Sequence, residues 1–315
     1  MMQGTLADSV CLGVDVGGTN LRCAVVAPDG TILVRQSLAT DIGSGRDAFL
    51  ERLFSLMTTL KRAAEAKGKR LSAIGLGVPG LCSNDGVLRS SVNLLPLEGL
   101  NLAQAVSSVI GIPAVALNDA NTSAVGEQRF GAGRPFASSL MVTLGTGVGA
   151  GLILDGRLWT GIDGVAAEFG HLTVEPEGRP CGCGNRGCLE QYASASAIAA
   201  RASSTGIDAA GGKLDAAGVA ALARAGNPEA LAIFDQVGSY LGIAIAGVVN
   251  LLNLEAVILG GGVAESLDLF EHSIAAEIRQ RAFPIPAERV RVLKGELGDD
   301  AGVLGAAATA FALLT

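Results

Sequence analysis

Apolar residues in the first hundred positions come in short β-branched bursts. Val10–Val16 and Leu21–Ala27 are two such runs; Pro28, Asp29 and Gly30 then supply a turn into Thr31–Gln36. This pattern predicts three strands in a meander. From Asp47 the spacing changes: Phe49, Leu53, Met57 and Leu60 recur at three- and four-residue steps, as one face of a helix does. Ala73–Val78 reads as a buried strand ending at Pro79-Gly80, followed by a helix near Leu102–Ile110, a strand at Ala114–Leu117 and a helix over Asn121–Phe130. Mixed strands and helices in this order indicate an α/β fold.

A second meander follows. Ser139–Leu144, a glycine loop, Gly151–Asp155, Gly156 and Arg157–Thr160 repeat the opening order. VDVGGTNLRCAVVAPDGTIL and VTLGTGVGAGLILDGRLW match strand for strand, with glycines between the first two strands of each. An internal duplication of this kind predicts two similar domains, each offering a backbone loop to whatever lies between them. Helix Glu229–Leu252, strand Ala256–Leu259, helix Ser266–Ala282 and strand Arg289–Lys294 are assigned to the second domain, and helix Val303–Leu314 comes last. The expected division is 1–118 with 299–315 against 119–298.

Composition narrows the class. Of 315 residues 49 % are hydrophobic and 17 % charged, which excludes a disordered polyampholyte. The net charge of −7 implies no electropositive surface for nucleic acid. No run approaches the roughly 18 apolar residues of a membrane span, since Leu241–Leu254 is interrupted by Gly242, Gly247, Asn250 and Asn253. The N-terminus lacks a basic region followed by an apolar core, so a cytoplasmic location is expected.

The chain has 44 glycines, roughly twice ordinary usage. Glycine lets peptide N–H groups approach a phosphate without a Cβ in the way. Three segments meet that demand: Gly17-Gly18-Thr19, the run Gly145, Thr146, Gly147, Val148, Gly149, and Gly260, Gly261, Gly262. None has the lysine of a P-loop or the setting of a dinucleotide fingerprint. Each alone fits a tight hairpin; together they fit phosphate binding. Asp15, at the end of the first strand, is either a turn cap or a group that orients a magnesium ion or its water.

His171, Cys181, Cys183 and Cys188 form H-x9-C-x-C-x4-C. One imidazole and three thiolates complete a tetrahedral zinc set with no place for water, which predicts a structural site. Cys11, Cys23 and Cys82 sit in apolar runs and are expected in the core, with His272 on a helix surface. Glu168 and Glu190 flank the cysteine knot, so a bound metal would hold their carboxylates as neighbours of one pocket. Asp119, between a strand and a helix, is either a helix N-cap or a proton acceptor.

DVGGTNLR (15–22), LNDAN (117–121), EFGH (168–171) and CGCGNRGCLE (181–190) together resemble the ROK family of bacterial sugar kinases and sugar-responsive repressors. The resemblance runs from Gly13 to the last helix. It implies the actin- and hexokinase-type fold, two RNase-H-like domains around a cleft, and ATP-dependent phosphorylation of a hexose at its 6-hydroxyl. It makes Asp119 the catalytic base, and Asn118, Glu168, His171 and Glu190 sugar contacts, with Asn93 and Gly80 from the small domain. Gly17, Gly18, Thr19 and Asn20 would cradle phosphates from one side, Gly145, Thr146, Gly147 and Gly149 from the other, and Gly261 and Gly262 would approach the nucleotide. Asn20 departs from the lysine that many members carry, which bears on donor contacts. Polyphosphate-using relatives generally lack the knot, so ATP with magnesium is the expected donor. Glucose is favoured by CGCGNRGCLEQYAS, with fructose, mannose, N-acetylglucosamine and N-acetylmannosamine as alternatives. Family repressors carry a DNA-binding segment ahead of the phosphate loop; too few residues precede Val10 for one, so a repressor is not expected. A homodimer is the family expectation.

Overall fold

The computed structural model describes residues 8–207 and 214–314. Residues 1–7, the stretch on which the location expectation rests, lie outside the described residues. The first meander is β1 (Ser9–Val16), β2 (Asn20–Val26) and β3 (Ile32–Ala39), followed by α1 (Arg46–Ala66) and β4 (Arg70–Val78). A small hairpin of β5 (Leu81–Cys82) and β6 (Leu88–Ser90) leads to α2 (Leu102–Ile110), β7 (Ala114–Asn118) and α3 (Asp119–Phe130). The second meander is β8 (Ser139–Leu144), β9 (Val148–Leu154) and β10 (Arg157–Trp159). Four helices follow: α4 (Glu190–Ala193), α5 (Ala195–Thr205), α6 (Ala216–Arg224) and α7 (Pro228–Leu252). The remainder is β11 (Ala256–Gly260), α8 (Glu271–Arg281), α9 (Pro284–Arg289), β12 (Arg291–Lys294) and α10 (Ala301–Phe311).

The duplication is present in the topology. One sheet runs β3-β2-β1-β4-β7 and the other β10-β9-β8-β11-β12. In each, the meander is antiparallel, the fourth strand pairs parallel with the first, and the fifth pairs parallel with the fourth.

Alternation along the central strands sends side chains to two different covers. In the first sheet Val10, Leu12, Val14, Ile74 and Leu76 pack against Phe49, Leu53, Met57 and Leu60 of α1. Cys11, Ala24 and Ala73 face the other way, onto Val303, Ala307 and Ala310 of α10. In the second sheet Leu140, Val142, Val257 and Leu259 face the α5–α8 layer, with α7 at its centre. Met141, Ile153 and Ile258 face Ala124 of α3. The two helices are therefore exchanged: α3 leaves the first sheet and covers the second, whereas α10 leaves the second and covers the first.

The exchange needs close backbone approach, and glycine supplies it. A Cβ on Gly13 would lie 1.9 Å from the Val303 carbonyl oxygen, and one on Gly75 1.8 Å from that of Ala306. Where α3 meets α10 the same holds reciprocally: Gly126 against the Ala301 carbonyl and Gly305 against that of Thr122. The buried Glu127 carboxylate fastens this crossing, accepting from the N–H groups of Ala132 (2.8 Å), Leu297 (2.9 Å) and Glu296 (3.2 Å).

Four expectations are corrected. The helix read over Ser266–Ala282 is two pieces: a 3-10 stretch over Gly262–Leu269, non-helical at Ser266, and then α8. α9 occupies Pro284–Arg289, so its strand begins at Arg291 rather than Arg289. β9 begins at Val148, three residues earlier than expected, which makes Gly149 a strand residue rather than a loop residue. α5 and α6 are additional elements, because their alanine-rich sequence carries too few large apolar residues to mark a face. Cys11, Cys23 and Cys82 are buried as expected, and burial pushes the Cys11 thiol up to about 12 and Cys82 to about 11. α7 is the one helix among the described residues long and apolar enough to cross a membrane, and it is a core helix, with just over half of that stretch buried in the protein.

Candidate functional site

The hairpin tips of the two meanders are each closed by their own backbone. At the β1–β2 tip the Gly17 N–H donates to the Asn20 carbonyl (2.9 Å), and the Thr40 hydroxyl donates to the Gly17 carbonyl (2.6 Å). Gly18, Thr19 and Asn20 stay exposed, with Asn93 lying against Gly18. At the β8–β9 tip the Gly145 N–H donates to the Gly147 carbonyl (3.0 Å), leaving Thr146 exposed. Gly261, with φ +82°, packs on the Leu144 backbone, so the turn after β11 stands beside this second tip. Gly262 has open space where a Cβ would be. Gly149 has a packing reason to be glycine: a Cβ there would come within 3.0 Å of the Ala120 Cβ.

Asp15 closes β1 beside the first tip, 3.5 Å from the Arg22 guanidinium. Burial, and secondarily the Asp119 carboxylate, lift its pKa to about 6, against the opposing pull of Arg22. Asp119 opens α3, where the chain passes from the first sheet to the second. The N-cap here is Asn118, not Asp119: its Oδ1 accepts from Ala120 and Asn121 N–H, while its Nδ2 donates to the Gly80 carbonyl at 3.0 Å. Gly80 itself has φ +116°, and a Cβ would meet the Ser90 carbonyl at 2.2 Å. Asp119 Oδ1 accepts from the Ala120 N–H (2.9 Å), and this bond, its own N–H and the Asn118 side chain favour the charged form. Burial raises its pKa, and the Glu168 charge adds to the rise.

Glu168 follows Ala167, whose φ of +66° is unusual for a residue with a Cβ and marks a locally strained turn. Its pKa is raised by burial first, with Glu190 raising it further and His171 pulling the other way. The Glu190 Oε2 accepts from the Val148 N–H (3.0 Å) and sits where a Cβ on Gly147 would be, so this carboxylate is pinned under the second tip. Asp15 senses the charge of Asp119, Asp119 that of Glu168, and Glu168 that of Glu190, a chain of neighbouring acids that starts beside the first tip and ends under the second.

The cysteine knot lies beside that row. Short bridges Thr173–Cys188 and Pro180–Arg186 fold the segment back on itself, and Gly187, at φ +68°, lets it press against the Glu175 carbonyl. The donor atoms of His171, Cys181, Cys183 and Cys188 all lie within 4.8 Å of one another. His171 Nδ1 is 3.7 Å from Cys181 Sγ, and the Cys183 and Cys188 sulfurs are 3.6 Å apart. A tetrahedral ion with metal–sulfur bonds of about 2.3 Å needs donor separations of about 3.5–3.8 Å, so the set fits zinc. The other His171 nitrogen, Nε2, faces Glu168 at 3.9 Å.

Two residues join the site that the sequence does not mark, Arg179 and Arg201. With Gln191, Ser194 and Glu190 they line a cavity of about 700 Å³ that opens at Thr146. Arg179 is held by donating to the Gln191 carbonyl (2.7 Å) and by stacking over Tyr192. Isolated arginines give no sequence signal, because only the fold brings them to the tip. A groove of about 780 Å³ between α8, α9 and β12 contains none of the candidate residues.

Two like sheets, each with a glycine tip, and an acid at their junction define a two-lobed protein of the hexokinase type. The chain belongs to the ROK family, whose model matches residues 11–312. A glucokinase of Halalkalibacterium halodurans is 36 % identical, covering 95 % of this chain and 94 % of that one. A ROK hexokinase structure from Thermus thermophilus superposes with TM-score 0.83 at 32 % identity, covering 97 % and 99 %. A ROK family glucokinase from Streptomyces griseus, solved with glucose and AMPPNP, superposes with TM-score 0.80 at 32 % identity, covering 96 % and 99 %. Xylose repressors of two Bacillus species match at 28 % identity, and there the chain spans 75 % of the longer proteins.

Proposed function

We propose that this protein transfers the γ-phosphoryl group of ATP to the 6-hydroxyl of a hexose, with glucose as the favoured acceptor. The observation that carries the reading is Asp119: a carboxylate of raised proton affinity, at the junction of the two sheets, between the tip acid Asp15 and the Glu168–His171–Glu190 group. Carboxylates suit a sugar because each oxygen accepts from neighbouring hydroxyls. Glu168, Glu190 and the outward His171 Nε2 would hold the sugar, with Asn118 offering its remaining amide N–H and Gly80 and Asn93 contributing from the other lobe.

Asp119 accepts the proton as the 6-oxygen bonds to the γ-phosphorus and the bond to ADP breaks; this general-base step contributes typically 10²–10⁴-fold. Peptide N–H groups of the Gly17–Asn20 and Gly145–Gly147 tips, other than those of Gly17 and Gly145 that close the turns, receive the phosphates from opposite lobes. Arg179 and Arg201 supply the positive charge that an acidic chain otherwise lacks near its second tip, and the cavity beside Thr146 accommodates a nucleoside next to Gly261 and Gly262. Asp15 would hold magnesium or its water, and magnesium supplies neutralisation of the transferred charge. Zinc at His171, Cys181, Cys183 and Cys188 would fix Glu168 and Glu190 in relation to each other. Residues 1–118 with 299–315, and 119–298, would close as two bodies about the α3–α10 crossing and exclude water.

The test is a coupled ADP-release assay over hexoses and amino sugars with magnesium and ATP. Turnover with glucose leading the panel supports the full reading. Turnover led by another sugar keeps the kinase and replaces the substrate; none with any sugar refutes it.

A further inference from the structure

The lobes also touch away from their crossed helices. The turn between β5 and β6 belongs to the small lobe and projects Asn84 across to the loop that follows β10. Asn84 Oδ1 accepts from the Thr160 hydroxyl (3.0 Å), and its Nδ2 donates to the carbonyls of Ile162 (2.9 Å) and Gly161 (3.4 Å). One amide side chain therefore spends both of its ends on a loop of the other lobe.

The turn that presents Asn84 is stiff. Ser83 donates to the Val87 carbonyl, Arg89 reaches both Ser83 and Asp85, and Asn101 donates to the Asp85 carbonyl at 2.7 Å. On the opposite side the loop is shaped to receive it. Gly164 has φ +90°, and a Cβ there would fall 2.5 Å from the Asn84 backbone nitrogen and 2.9 Å from the Cys82 carbonyl oxygen. Only glycine permits that contact.

What the clasp holds is the stem of the sugar segment. Ala166 N–H donates back to the Thr160 carbonyl (3.0 Å), closing the loop, and the strained Ala167 and then Glu168 follow directly. On the small-lobe side Gly80 and its Asn118 hydrogen bond lie just before the same turn. Asn84 thus joins, through a few residues each way, the two halves of the pocket.

We propose that Asn84 is a positioning residue: a hydrogen-bonded clasp between the lobes that sets the Thr160–Glu168 segment, and with it the Glu168 carboxylate, against the small-lobe half of the sugar pocket. This inference rests on the sugar-kinase reading. It separates the substrates, because the loop held by Asn84 leads into Glu168, and the Asn84 side-chain hydrogen bonds go to that loop and to neither glycine tip.

The test compares wild type with Asn84→Ala, Asn84→Asp and Thr160→Val in the ADP-release assay, with glucose binding measured by calorimetry. Asn84→Ala is expected to raise the sugar KM about ten-fold while kcat and the ATP KM change less than about three-fold, as loss of positioning does. Asn84→Asp, which keeps the acceptor but turns a carboxylate on two carbonyls, should be no better than Ala. Thr160→Val, which removes one bond of three, should fall between wild type and Ala. A melting temperature unchanged in Asn84→Ala separates this from general destabilisation. Wild type that binds sugar, with an Asn84→Ala variant of unchanged sugar KM and affinity, overturns the clasp alone. Wild type that neither binds nor phosphorylates any sugar overturns the underlying reading as well.

Discussion

The two hairpin tips occupy the same place in their sheets and differ in what surrounds them. Both join the first two strands of a five-stranded sheet of the same order. At the first tip the strand itself supplies an acid, Asp15, with Arg22 as its counterion. At the second the matching strand position is Thr143, and the acid arrives from elsewhere: Glu190, docked under Gly147 by the knot segment. Duplication accounts for a glycine tip at the same place in two like sheets. In the proposed reading, divergence assigns the first tip to the cation and brings a sugar-binding acid to the second. Asp119 lies between the two, at the residue where the chain changes sheets.

The strongest way to break this comparison is to remove its centre. Asp119→Asn should lower kcat by about 10³-fold, within the usual range for a general base, and leave sugar affinity within a few-fold by calorimetry. A variant retaining most of its kcat would refute the role. In the wild type, kcat should fall as pH drops through the raised pKa of Asp119, since only the carboxylate accepts a proton.

The metal comes next. Purified, unchelated protein should contain about one zinc per chain, and Cys188→Ser should lose it along with about 10²-fold in sugar KM, as the loss of ligands and their supporting shell does elsewhere. Metal analysis that finds none in the wild type would remove the zinc assignment.

The two tips can then be set against each other. Glu190→Gln should raise the sugar KM about 10–100-fold, the cost of one charged hydrogen bond or two, with little change in the ATP KM. Asp15→Asn should do the reverse. If both variants moved the same parameter, the division of labour would be wrong.

The smallest effect concerns stability. The Asp15 carboxyl titrates near 6 in the folded protein against an ordinary 3.8, so between those values the unfolded chain gives up its proton first. The charge costs nothing below pH 3.8 and on the order of 3 kcal/mol above pH 6, the favourable Arg22 pair already included. Asp15→Asn should therefore melt at a higher temperature than wild type at pH 7.5 and alike at pH 4. A variant less stable at pH 7.5 would mean that the ion pair outweighs burial.

Much of this was legible in the sequence for definite reasons. The repeat showed because strand periodicity and tip glycines both recur, and the knot showed because its four ligands fall within eighteen residues in a spacing that leaves little else to do. The helix-capping job, by contrast, fits Asp119 as well as its neighbour until the Asn118 hydrogen bonds are seen. Arg179, Arg201 and Asn84 give no signal, since each acts through residues brought close only by the fold. Gly149 shows the same limit: its glycine looks like a loop requirement and serves the seat of α3 on β9.

The exchanged helices bear on how the protein is made. The face of the first sheet that carries Cys11, Ala24 and Ala73 is covered by Val303, Ala307 and Ala310, nearly three hundred residues beyond Cys11 in the sequence. A ribosome that has released the first lobe has therefore released a sheet with one apolar face bare, and it stays bare until residues 301–311 emerge. The second lobe carries its own cover in α3, so only the first must wait, and it should complete in a late step with its apolar face exposed to chaperones meanwhile.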